Sequence, residues 1–274
     1  MSSRYHEFLK EDIRSGDITS ELVVPADEKA KATIVCKERC VLAGVSDAAA
    51  VFKELGARVT KQVEDGRHAE RGEVVLEVEG KARDLLAAER LALNFVMRMS
   101  GIATQTDLLV HKCQRINPKV RIAATRKTTP GFREFEKRAV KLGGGDPHRY
   151  GLDDAILIKD NHITIAGGVK EALERAKHGS FTKKIEIEVR SPTEAKLAAE
   201  NGADIVMLDN FSPETAKSTA ADLRKMKPSI LIEISGGIRP DNAEDYAAAA
   251  DIISLGALTH SYKSIDFSMD IMKA

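Results

Sequence analysis

From Lys119 onward the chain alternates short apolar runs with amphipathic segments. The runs are Val120 to Ala124, Ala155 to Ile158, Ile185 to Val189, Ile205 to Leu208, Ile230 to Ile234 and Ile252 to Leu255. Between them, residues 134–142, 169–177, 193–201, 213–226 and 242–250 carry apolar positions at helical spacing. Continuous β-branched runs separated by helices predict a parallel sheet covered on both faces. The first hundred residues follow another pattern. A short helix is expected near Tyr5 to Asp12, with strands at Ala32 to Cys36, Arg58 to Val63 and Val74 to Val78, punctuated by Gly56, Gly66, Gly72 and Gly80. A helix is expected from Ala82 to about Ser100, with Gly101 breaking or kinking it before a second helical stretch, Thr104 to Arg115.

The residues that leave the apolar runs decide between architectures. They are Arg126 and Lys127, Lys159, Glu188 at the end of its run, Asp209, Ser235-Gly236-Gly237 and Gly256. In a parallel α/β barrel the strand carboxyl ends gather at one mouth, so these residues converge. An open doubly wound sheet would concentrate function at its switch point and leave several of them idle. The pattern therefore predicts a barrel with six visible strands and room for a seventh.

Composition narrows the partners. Among 274 residues, 42 Lys and Arg balance 42 Asp and Glu, so nothing in the overall charge favours nucleic acid or an anionic membrane, and any anion site is local. Cys36, Cys40 and Cys113 have neither disulfide-framework nor zinc-ligand spacing and read as small core residues of a protein in a reducing cytoplasm. Residues 1–10 lack the apolar core of a signal peptide, and no apolar stretch is long enough to span a bilayer.

Three basic clusters lie between Thr125 and His162: T-R-K-T-T-P-G from Thr125, H-R-Y-G-L from His148 and I-K-D-N-H from Ile158. Arg126 and Arg149 offer planar forks for carboxylates, and Lys127 and Lys159 offer compact charges for phosphates. Each alone reads as a solvated surface charge; strand-end position singles out the group. Glu188 and Asp209 suit hydroxyls, hydrated Mg²⁺ or a developing cation, or they neutralise the neighbouring lysines. Glu186 shares the side-chain parity of Glu188 and lies one layer deeper, farther from the mouth. Ser235-Gly236-Gly237 and the G-A-L-T-H segment at Gly256 to His260 follow successive strands, where barrels often bind phosphate; a turn glycine is the plain alternative for either loop alone.

Together with A-E-R-L-A-L-N-F and S-G-I-A-T between Ala88 and Thr104, G-G-G at Gly143 and L-D-N-F at Leu208, these motifs resemble the quinolinate phosphoribosyltransferase family over most of the chain. The resemblance implies a mixed α+β domain over residues 1–103, an incomplete TIM-like parallel α/β barrel over 104–261, and a tail, 262–274, packing back on the first. It implies decarboxylating transfer of phosphoribose from phosphoribosyl pyrophosphate to quinolinate in NAD biosynthesis, with Mg²⁺, in a homodimer with shared active sites. By position, Arg90 from a neighbouring subunit, Arg126, His148 and Arg149 would bind quinolinate, with Thr125 and Lys127 bordering the pocket. Lys127 and Lys159 would neutralise carboxylate and pyrophosphate, and Glu188 and Asp209 would contact ribose and Mg²⁺-bound water. Ser235, Gly236, Gly237, Gly256 and His260 would form the phosphate end. Ala124 stands where the family commonly has Asp, and Asp146-Pro147 where it often has Val-Asn, so nicotinate or another acceptor is an alternative substrate. A non-catalytic phosphosugar-binding protein on the same fold is the alternative of another class.

Overall fold

The computed structural model describes residues 4–179 and 181–274, so the first three positions of the expected N-terminal domain lie outside the described residues. The chain divides into two compact units, Met1–Gln105 with Tyr262–Ala274, and Thr106–Ser261. The division falls two residues beyond the expected boundary.

In the first unit the elements are α1 (Arg4–Ile13), α2 (Ile18–Val23), β1 (Lys29–Cys36), β2 (Cys40–Val41), α3 (Val45–Glu54), β3 (Arg58–Gln62), β4 (His68–Ala69) and β5 (Val74–Lys81). Helix α4 (Ala82–Gln114) follows, and the division between units falls inside it. The second unit runs β6 (Arg121–Ala124), α5 (Arg133–Leu142), β7 (Ile156–Ile158), α6 (Asp160–Ala166), α7 (Val169–Ala176), β8 (Ile185–Val189), α8 (Pro192–Glu200), β9 (Ile205–Asp209), α9 (Pro213–Met226), β10 (Leu231–Ser235), α10 (Glu244–Ala247), β11 (Ile252–Leu255) and α11 (Ala257–His260). The chain then returns to the first unit as β12 (Phe267–Lys273).

Strand β12 lies antiparallel to β1, from Ala30 opposite Lys273 to Cys36 opposite Phe267, in a four-stranded sheet of order β12-β1-β5-β3. The burial alternates along β1, with Ala30, Ala32, Ile34 and Cys36 inside. All three cysteines are free and buried.

Helix α4 corrects the expected break at Gly101: one helix runs from Ala82 to Gln114. The glycine answers to a tertiary contact. A Cβ at Gly101 would collide with the carbonyl oxygen of Lys263 and come within 2.9 Å of the Ser264 Cα. The missing side chain thus admits the returning chain, whose Ile265 N–H donates to the Met97 carbonyl.

In the second unit six parallel strands form one sheet of order β6-β11-β10-β9-β8-β7. No seventh strand joins it among the described residues; the sheet is a barrel left open between β6 and β7. Outside β6 there is a single bridge, Ala123 to Asp146. The expected helix at 242–250 is the short α10, and Asp160–Ala166 forms a helix that the apolar pattern did not indicate.

Local chemistry sets the register. Ser191 and Ser212 cap α8 and α9, accepting from Glu194 and Thr215 N–H, with proline at the first helical position of each. Asp204 and Asp251 begin strand turns and reach sideways: Asp204 accepts the Ile185 N–H and Asp251 the Ile232 N–H, each at 2.8 Å. These carboxylates pin β8 to β9 and β10 to β11 at their amino ends.

Gly101→Ala is expected to destabilise the protein by about 1–3 kcal/mol through overpacking, although alanine is the better helix former. Thermal or denaturant unfolding checks this; an unchanged or raised midpoint would contradict the close-approach role.

Candidate active site

Side chains alternate along a strand, so pairing decides which residues share a face. Glu186 pairs with Leu157 and Ile205, Glu188 with Met207, Glu233 with Met207 and Ile252, and Ser235 with Asp209. Glu186, Glu188, Asp209, Glu233 and Ser235 therefore project from one face of the sheet in three tiers, Glu186 deepest, Glu188 and Glu233 level with Met207, and Asp209 and Ser235 nearest the carboxyl ends.

The Lys159 ammonium contacts Glu188 directly. Lys159 lies just beyond β7, where its own N–H donates to the His162 imidazole at 2.9 Å, fixing the chain as α6 begins. Glu188 is buried, so the ion pair neutralises a carboxylate that would otherwise be costly to hold there. Asp209 accepts from the Asn210 side-chain amide at 2.8 Å and lies 4.0 Å from Arg190, which also bonds Asp160. Arg190 and Asn210 were not singled out by sequence; both directly follow strands whose exits were.

Lys127, Ser235, Gly236, Gly237, Gly256 and His260 line one cavity of about 490 Å³, with Arg239, Ser254 and Ser261. Gly236 is required by space as well as by turn geometry, and Gly256 by space. A Cβ on Gly236, whose φ is 80°, would meet Asp209 Oδ1 at 2.5 Å and the Asn210 backbone nitrogen at 2.6 Å. At Gly256 it would meet His260 Nε2 and Lys127 Cδ, both at 2.8 Å. The buried Thr259 hydroxyl donates to the Lys127 carbonyl at 2.8 Å and ties that loop to α11.

His148 and Arg149 line a second cavity of about 460 Å³, bordered by Asp146, Lys183, Lys184 and Glu186. It is distinct from the first, so the expected acid and phosphate residues do not share one continuous lining. His148 connects the two regions through the interior: its Nε2 lies 3.4 Å from Glu186 and 3.6 Å from Glu233, two residues before Ser235. Burial alone would lower the pKa of His148, but the hydrogen bond to Glu186 and the charges of Glu233 and Glu186 outweigh it and hold the ring above its ordinary value. Burial and then the Glu186 charge push Glu233 up to about 8. Sequence reasoning passed over Glu233 and ranked Glu186 below Glu188. The signal was a lone Glu between isoleucines in an apolar run, Ile232-Glu233-Ile234.

The loop carrying His148 is held firmly, and the departure at Asp146-Pro147 has a local role. Asp146 bridges to β6 through backbone bonds with Ile122 and Ala124, while its carboxylate accepts the His148 N–H at 2.7 Å. This local turn supports His148 at a positive φ of 51°. The fully buried Lys137 ammonium donates to the Pro147 carbonyl from below. Burial, and then the Arg133 charge, push Lys137 down to about 8.

Of the remaining expected residues, Thr125 accepts the Lys127 N–H and shapes the turn after β6. Arg126 keeps a buried Nε without a hydrogen-bond partner, and its charge helps lower the pKa of Arg149 after burial has done so. Arg90 is exposed on α4 in the first unit.

A parallel half-barrel with a cationic, glycine-lined cavity, flanked by buried carboxylates and paired lysine, has the equipment of an α/β-barrel pentosyltransferase. Residues 17–100 match the model for the quinolinate phosphoribosyl transferase N-terminal domain and residues 102–270 that for its C-terminal domain. The chain belongs to the quinolinate phosphoribosyl transferase family. It is 48% identical over 271 residues to a probable nicotinate-nucleotide pyrophosphorylase (carboxylating) of Methanocaldococcus jannaschii, covering 97% of this chain and 95% of the relative. A protein of the same description from Methanothermobacter thermautotrophicus is 46% identical over 269 residues, covering 97% and 96%. The solved nicotinate-nucleotide pyrophosphorylase of Francisella tularensis superposes with a TM-score of 0.91 at 38% identity, covering 98% of this chain and 94% of that one. Among the described residues no helix is long and apolar enough to cross a membrane.

Lys137 yields a pH prediction. The folded amine releases its proton near pH 8, whereas an unfolded lysine keeps it to about 10.4. Between these values the unfolded state binds more protons, so this group's contribution to stability rises with pH across that window and is least below it. Lys137→Met should flatten that rise in denaturant midpoints measured from about pH 7.5 to 10.5; an unaltered slope would count against it.

Proposed function

We propose that this chain transfers phosphoribose from phosphoribosyl pyrophosphate to the ring nitrogen of quinolinate, releasing pyrophosphate and carbon dioxide and leaving nicotinate mononucleotide. The observation that carries this reading is the lining of the first cavity by Lys127, the Ser235–Gly237 turn, Gly256 and His260, with Asp209 against Gly236. Backbone N–H groups and a lysine suit phosphate, and an adjoining carboxylate suits ribose hydroxyls.

Arg126, His148 and Arg149 are the groups of this unit that would receive the acid, with Thr125 bordering them. Quinolinate carries two adjacent carboxylates, and several cationic donors compensate them better than one. As pyrophosphate departs, positive charge grows on the ribose; Glu188 and Asp209 offset it, while Lys127 and Lys159 hold the anionic leaving group. Once the nitrogen is alkylated, the pyridinium accepts the electron pair of the breaking carbon–carboxylate bond, and a proton then replaces carbon dioxide on that carbon. Positioning and charge balance are the protein's contribution.

Mg²⁺ fits this set. Asp209 Oδ1 has no hydrogen-bond donor among the described residues, and hard carboxylate oxygens suit a hydrated Mg²⁺. Glu188 and Asp209 would contact its water shell rather than ligate it, and the bound ion would supply charge neutralisation at the pyrophosphate. Completion of the site by Arg90 from a second copy in a homodimer is part of the proposal.

Incubating the purified protein with phosphoribosyl pyrophosphate, Mg²⁺ and either quinolinate or nicotinate tests the reading by nucleotide and carbon dioxide release. Quinolinate should turn over; turnover of nicotinate alone would overturn the substrate assignment. Lys159→Ala should lower kcat by roughly a hundredfold or more with its circular dichroism spectrum retained, and a near-normal rate would remove Lys159 from the mechanism.

A further inference from the structure

The buried carboxylates around His148, Glu186 and Glu233, have no place in the phosphoribosyl transfer proposed above. Glu186 and Glu233 are 2% and 0% exposed, and one oxygen of each, with the His148 ring nitrogen, lies within 4.8 Å of the others. Glu233 Oε1 is taken by the Ser254 hydroxyl at 2.5 Å. Glu233 Oε2 and Glu186 Oε1 are buried without any hydrogen-bond partner. Two acceptor-only oxygens buried and unpaired are costly, and a single proton held between the carboxylates would satisfy both.

That proton would also balance the charge. With both carboxylates ionised, the cluster carries a net negative charge even when the ring is protonated. With one proton shared, a single negative charge faces a single imidazolium, and the buried set is neutral. From these contacts we infer that Glu186 and Glu233 are a proton-sharing positioning pair that keeps the His148 ring cationic, its Nε2–H turned toward Glu186 and its Nδ1–H left as a donor for a carboxylate of the acid substrate. A neutral ring donating through Nε2 would instead present an Nδ1 lone pair and repel the acid. The inference rests on the proposed acid-binding role of His148.

The surroundings support this protonation pattern. From α5, Lys137 opposes charge on the ring, while Glu186 from β8 and Glu233 from β10 favour it. Ser254 from β11 binds Glu233, and Asp146 of the ring's own loop is occupied with the His148 N–H. Arg149 beside it is also cationic. Glu233 is the member pushed up to about 8, so the shared proton is placed chiefly there.

Imidazole-resolved NMR titration of the wild-type protein, with Glu186→Gln and Glu233→Gln alongside, tests the pair without requiring turnover. In the wild type His148 should titrate above the ordinary value of about 6.5. Glu186→Gln should lower that midpoint by about one unit or more. In Glu233→Gln, whose amide is isosteric with the protonated acid, the midpoint should remain above the ordinary value. Kinetically, Glu186→Gln should raise the KM for quinolinate by about tenfold or more at pH near 8, with much less effect on the KM for phosphoribosyl pyrophosphate, and the defect should shrink toward pH near 6, where the ring protonates unaided.

An ordinary wild-type midpoint, or one that Glu186→Gln leaves in place, would overturn the inference. Stoichiometric retention of zinc after dialysis, lost in His148→Ala, would overturn it as well by making the cluster a metal site. If quinolinate fails as a substrate while the titrations behave as stated, the functional reading falls and the proton-sharing pair stands.

Discussion

Charge placed between parallel strands must be neutralised where it stands, and that constraint organises the catalytic unit. Glu186, Glu188, Asp209 and Glu233 project from three neighbouring strands into a region that would otherwise be filled by aliphatic side chains. Each has an answering group fixed by another element. Lys159 beyond β7 meets Glu188, Arg190 beyond β8 approaches Asp209, and His148 reaches Glu186 and Glu233 from the loop after α5. Because breaking such a buried pair leaves an uncompensated charge, the strand register, the loop conformation and the site depend on one another.

This coupling explains the unusual care with which short connections are anchored. Asp204 and Asp251 hold adjacent strands at their amino ends, so the carboxyl ends arrive in step. Lys137 donates to the Pro147 carbonyl and lies over the Tyr150 ring, beneath the loop that delivers His148. Its buried position is unfavourable for an ammonium, and the return is a fixed anchor for an otherwise irregular segment. Gly236 and Gly256 yield their side-chain space to Asp209, Lys127 and His260, which brings functional groups from different strands within contact distance.

Much of this was legible in the chain. The six apolar runs of the second half correspond to six strands, because parallel strands buried on both faces need continuous apolar sequence. Their polar exits announced Lys159, Glu188, Asp209 and Ser235 for the same reason. What escaped was information carried by contacts distant in sequence. Gly101 looks like a helix breaker until the returning chain at Lys263 is seen beside it. Strands β2 and β4 are two residues each and leave no periodic trace. Glu233 was hidden by the rule that strand interiors are apolar, although an acid in that setting marks either an error or a partner. The family resemblance supplied the expected roles and marked Asp146 as a departure, yet it did not indicate that Asp146 builds the turn beneath His148.

The gap between β6 and β7 bears on how the site can be changed. A closed cylinder commits every strand to two neighbours, so changing one segment disturbs its whole circumference. Here, among the described residues, the segment bearing His148 and Arg149 pairs its backbone with the sheet only at the Ala123–Asp146 bridge, and the contacts of His148 with Glu186 and Glu233 do the rest. A substitution in that segment leaves the backbone ladders of the six strands untouched, so the unfinished seam is where the pocket for the acid can be altered with least disturbance to the sheet.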